Sequence, residues 1–135
     1  MRRISSKSPV LNKGNLSEHY EQVYFVSWFR KTFNDEIIAI PNGGARSRSE
    51  GAKMKAEGVK RGVSDLFIPA WFLWIEMKRA DGGNGMSKEQ KEWAEYVKSL
   101  GYDFMCCNGF EHAKSCVLRH LELEEDEGEE NEDKN

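Results

Sequence analysis

The chain has 135 residues, 39% hydrophobic and 32% charged, enough for one compact core and too few for two substantial domains. Its most apolar run, Leu66 to Met77, is too short to cross a bilayer, and no apolar segment of the secretory kind follows the basic stretch Met1 to Pro9. The net charge of −3 conceals nine acids against one lysine from Glu122 to Asn135, a local charge of −8 that leaves +5 on the rest.

Residues 1–15 are expected to form a flexible basic N-terminus and 16–121 a single domain. Residues 122–135 cannot bury enough apolar surface to offset ordering and are expected to form a disordered acidic tail, either merely solvating or acting as an intramolecular DNA mimic. Within the domain, Ser17 is placed to cap a helix with Tyr20, Val23, Tyr24, Ser27 and Trp28 on one stripe and Phe25, Phe29 and Phe33 beside it. Ile37 to Ile40 is a short β-branched strand ending at Pro41, Asn42, Gly43 and Gly44. Ser47 to Glu57 is a helix with basic spacing that stops at Gly58, and six basic against two acidic side chains lie between Gly43 and Gly62.

Ser64 to Ile68 and Phe72 to Lys78 follow as two central strands. After a glycine-rich loop, Ser87-Lys88-Glu89-Gln90 matches a capping box and opens a helix carrying Trp93, Tyr96, Val97 and Leu100. Tyr102 to Cys107 is a strand, and Phe110 to about Leu121 a helix with Ala113, Cys116, Val117 and Leu121 inward. This order describes an α/β domain with a mixed sheet flanked by helices. The odd cysteine count, Cys106, Cys107 and Cys116, suits reduced thiols in a cytoplasmic protein. His112, Cys116 and His120 recur at helical spacing, but His112 and His120 would stand about 12 Å apart, too far to share one ion.

Strand alternation puts Trp74, Glu76 and Lys78 on one face, and pairing of neighbouring strands would bring Asp65 beside Glu76. Two carboxylates can serve one Mg²⁺, which prefers oxygen ligands and keeps waters or a substrate phosphate. Taken alone, the same three charges also fit a salt-bridged strand end and a turn residue.

These residues carry a resemblance over about Ser17 to Val117. Pro41-Asn42-Gly43-Gly44, the run Val59-Lys60-Arg61-Gly62-Val63-Ser64-Asp65-Leu66, Glu76-Met77-Lys78 and Ser87-Lys88-Glu89-Gln90-Lys91 stand in order, and with them the chain resembles a standalone VRR-NUC domain of the PD-(D/E)XK nuclease superfamily. Lys60 replaces the first arginine of the name-giving Val-Arg-Arg, and Ser64 the usual proline before the acid. The resemblance implies a restriction-endonuclease-like core and a DNA endonuclease using Mg²⁺ or Mn²⁺. It assigns Asp65, Glu76 and the Met77 carbonyl to the metal, and to Lys78 the attacking water or the developing phosphorane charge. It also implies a first-helix glutamate, expected at Glu21 because Tyr24 and Trp28 would anchor the helix behind it, with Glu18 as the fallback. Gln90 would reach the site, a placement its capping-box position explains equally well, and Lys53, Lys55, Lys60 and Arg61 would contact phosphates. Branched or four-way-junction DNA and a homodimer are the partners the family suggests. The rival expectations are a noncatalytic nucleic-acid-binding module and a nuclease that cuts only with a partner protein.

Overall fold

In the computed structural model, which describes residues 16–41 and 47–133 with side chains to 125, Ser17 caps α1 (Glu18–Thr32). Its Oγ accepts the Tyr20 N–H at 3.3 Å, satisfying a donor that the first helical turn leaves without an intrahelical partner. The buried stripe of α1 is Glu21, Phe25 and Phe29, while Val23 and Tyr24 are exposed, so the inward face lies to one side of the stripe expected. Two fully buried phenylalanines four residues apart fix that face, because their area outweighs that of the amphipathic tyrosines.

The chain then continues through β1 (Ile38–Ala39), α2 (Arg48–Ala56), β2 (Leu66–Ile68), a 3₁₀ turn at Pro69–Trp71, β3 (Leu73–Lys78), α3 (Lys88–Ser99), β4 (Asp103–Asn108) and α4 (Phe110–Asp133). The N-terminal stretch 1–15 and the residues Asn42, Gly43, Gly44 and Arg46 lie outside the described residues. The sheet has the order β1-β2-β3-β4, antiparallel across the first two pairs and parallel between β3 and β4, with α3 making the crossover. It is thus the expected mixed sheet.

Leu66, Ile68, Leu73, Ile75 and Met77 point from the sheet to α1 and α4, where they meet Phe25, Phe29, Ala113 and Val117 in one core. The other face carries Phe67 stacked on Trp74 at 4.2 Å and Trp74 edge-on to Trp93 of α3 at 5.2 Å. Ala94 and Val97 are the buried residues of α3, whereas Tyr96 and Leu100 are exposed. Helix α4 runs to Asp133, past the end near Leu121 that its apolar stripe suggests, and so through the segment read as an acidic tail. Glutamate is a good helix former, and a helix already docked by its first turns can propagate outward. No described helix is long and apolar enough to cross a membrane.

Candidate active site

Three of the elements converge where β2 begins and β3 ends. The β2–β3 register pairs Leu66 with Ile75, so Asp65, one residue before β2, falls opposite Glu76. Asp65 Oδ2 accepts the Met77 N–H at 2.8 Å, which fixes the Asp65 carboxyl one residue from Glu76 along β3. Glu76 and Lys78 are only 2% and 8% exposed, and Lys78 Nζ stands 3.7 Å from Glu76 Oε1.

Gln90 connects the pair. Its Nε2 donates to Glu76 Oε1 at 2.9 Å, while its Oε1 accepts from Lys78 Nζ at 3.0 Å and from the Ser87 N–H at 2.8 Å. The capping box and the placement at the site are therefore one arrangement: starting α3 orients the amide that aligns the acid and the ammonium.

The two α1 glutamates divide their roles. Glu21 is buried and accepts the N–H of Phe110, the first residue of α4. A carboxylate there satisfies an orphan donor and opposes the positive end of the helix dipole. Gly109 permits it, since a Cβ at that residue would lie 3.0 Å from Glu21 Oε2 and from Ala80 Cα. Glu18, one turn earlier, instead feels Asp65, Glu76, Lys78 and Arg79. Of the two candidates, Glu18 is the one whose charge interacts with the cluster, while Glu21 is engaged at the α4 N-terminus. With Phe25 and Phe29 inward, Glu21 falls in line with them on the buried face of α1.

Burial raises the Glu18 carboxyl, and repulsion from Asp65 adds to this against the opposing pull of Lys78 and Arg79. Glu76 is pushed up to about 8, first by burial, then by the neighbouring Asp65 charge, with Lys78 opposing. Carboxylates forced together this closely retain a proton unless a cation neutralises them. A hard, all-oxygen donor set whose members repel one another fits Mg²⁺ or Mn²⁺.

A carboxyl raised in the folded state holds its proton more tightly there than in the unfolded chain. Its stabilising contribution is therefore complete below about pH 4.5 and is lost as pH rises towards about 8. In EDTA the melting temperature should fall across that interval, Glu76→Gln should flatten the fall, and Mg²⁺ should raise the wild-type melting temperature more at the alkaline end. An equally steep fall in Glu76→Gln would remove Glu76 as its source.

A basic groove shares Glu89 with the start of α3, the helix that carries Gln90. Lys55, Lys60 and Arg61 line this groove of about 720 Å³ with Met54, Val59 and Glu89. Lys53 is exposed on α2 but does not line the groove. Gly62 ties the groove to α3: its φ is +94°, and a Cβ would lie 2.6 Å from the Glu89 backbone, one residue before Gln90. Gly62→Ala should lower stability by about 1–3 kcal/mol, through backbone strain and collision together. A wild-type denaturation midpoint would show that the loop can move aside. Ser64 is fully buried with its hydroxyl unpaired among the described residues.

No family model and no curated protein sequence matches the chain. Among solved structures it is similar to a chain described as "VRR_NUC domain protein", with 28% sequence identity and a TM-score of 0.66 over 80% of this chain and 90% of the other.

Proposed function

With the chain folded as a VRR-NUC domain, a nuclease-type domain, we propose that it is a divalent-metal-dependent endonuclease hydrolysing DNA phosphodiesters. The observation that carries this reading is the cluster of half-buried Asp65 with buried Glu76 and Lys78, aligned by Gln90. A structural salt bridge gains nothing from a second acid beside it, since burying mutually repelling carboxylates is costly.

Asp65, Glu76 and Glu18, with the Met77 carbonyl, would hold Mg²⁺ or Mn²⁺. When bound, the ion supplies Lewis-acid charge at the phosphate and a water of lowered pKa. Lys78 stabilises negative charge developing on the phosphate, or orients the attacking water, from a position Gln90 fixes. Gln90 meanwhile holds Glu76 by its amide N–H. Lys53, Lys55, Lys60 and Arg61 supply phosphate contacts that bind without reading sequence.

Preference for branched or four-way-junction DNA and a homodimeric assembly belong to the same proposal. Phosphate contacts carry no sequence information, so selectivity through them would come from DNA shape, and two sites related by a twofold axis would match a four-way junction.

The test is cleavage of labelled four-way junction, flap and linear duplex DNA in Mg²⁺, Mn²⁺ or EDTA, by wild type and Asp65→Ala, with the molecular mass of free protein and complex measured in parallel. Metal-dependent cutting lost in Asp65→Ala is expected. Binding without cutting under every metal would overturn the enzyme reading and leave a nucleic-acid-binding module.

A further inference from the structure

A second group of metal-ligating side chains lies at the other end of the sheet. Asp103 opens β4 and pairs with Leu73, whereas Glu76 pairs with Cys106 and Lys78 with Asn108, so roughly 10 Å of strand separates Asp103 from the level of Glu76 and roughly 16 Å from that of Lys78. His120 and Glu124, one turn apart on α4, reach back to Asp103. His120 Nε2 stands 3.6 Å from Asp103 Oδ2 and 3.2 Å from Glu124 Oε1, and the three donor atoms all lie within 4.8 Å of one another.

We propose that Asp103, His120 and Glu124 form a metal site for Zn²⁺ or a similar transition ion, fastening α4 to the start of β4. Donors on a tetrahedral zinc with bonds of about 2.0–2.1 Å lie about 3.3 Å apart, close to both nitrogen–oxygen separations here. An independent observation is the state of the imidazole. His120 Nε2 is shielded from solvent and, despite two carboxylates within reach, forms a hydrogen bond with neither. One cation accepting all three donors would satisfy it and neutralise the two acids, whose ion pairs among the described residues are with His120 alone.

Trp71 fixes the ring from one side. The two rings lie 6.2 Å apart and nearly parallel, and Trp71 Nε1 donates to Asp35 Oδ2 at 2.7 Å, anchoring the indole. The carboxylates are about half exposed, leaving room for water at the remaining coordination position. Imidazole beside carboxylate favours zinc or cobalt over the hard ions suited to Asp65 and Glu76. The site stands apart from the nuclease reading and survives its failure.

The experiment is Co²⁺ titration of the full chain followed by visible absorption, with Zn²⁺ and Mg²⁺ as competitors, in wild type, Asp65→Ala and His120→Gln. One equivalent of Co²⁺ should give ligand-field bands that Zn²⁺ displaces and excess Mg²⁺ does not. These bands should persist in Asp65→Ala and vanish in His120→Gln. Should His120→Gln fail to fold, Asp103→Asn and Glu124→Gln, which alter exposed carboxylates, should each weaken Zn²⁺ binding by about tenfold or more. Unchanged bands in His120→Gln, unchanged affinity in both carboxylate variants, no Zn²⁺-displaceable band in wild type, or a thiolate charge-transfer band placing the ion on cysteine would each overturn the assignment.

Discussion

Lys78→Ala should lower single-turnover DNA cleavage by about two to three orders of magnitude while leaving equilibrium DNA binding in EDTA nearly unchanged. Lys78 is 8% exposed and its ammonium is held by Gln90 and Glu76, so it adds little to the charge a DNA backbone meets on approach. Its value is local: a fixed cation in a partly dry site acts on charge that forms only as the phosphate is attacked. Removing it also leaves Glu76 without its cation, so the metal-free variant should show a still higher Glu76 pKa by carboxyl NMR titration. Equal losses of cleavage and binding would move Lys78 from the chemistry to the DNA-contact surface.

The two α1 acids should separate just as clearly. Glu18→Gln is expected to reduce metal-dependent cleavage by about tenfold or more and to leave the denaturation midpoint close to wild type, because the carboxylate faces the cluster without serving as a cap. Glu21→Ala should do the reverse. It strips the Phe110 N–H of its acceptor and the α4 N-terminus of its carboxylate, a loss of about 1–3 kcal/mol of stability, while cleavage per folded molecule at low temperature is kept. Urea denaturation beside single-turnover kinetics distinguishes the outcomes, and the opposite pattern would restore Glu21 as the acid facing the metal.

Much of this was legible from residues, for reasons that differ by element. Ser17, Ser47 and Ser87 announced three helix starts because a cap is a local hydrogen bond. The alternation Trp74-Ile75-Glu76-Met77-Lys78 announced which side chains share a face, because the period of a strand is fixed. The inward face of α1 was not legible, since aromatic residues occur all round that helix and only the sheet and α4 decide which are covered. The grouping of Asp103 with His120 and Glu124 was equally out of reach, as it joins a strand end to a helix by tertiary packing. His112 Nδ1 accepts the Asn108 N–H at 2.8 Å, whereas His120 turns to Asp103. The run of α4 beyond Leu121 was missed because the apolar stripe ends there while helix propensity does not.

The Glu21 cap also gives α1 a spectroscopic reporter. The Phe110 amide proton is held by a side chain of α1, so parting of α1 and α4 opens it to exchange with solvent. Glu18 rides on the same helix one turn away, and that opening carries it off the Asp65–Glu76 cluster as well. The protection factor of one backbone amide near the end of the domain therefore measures how much of the time the first-helix acid is in place.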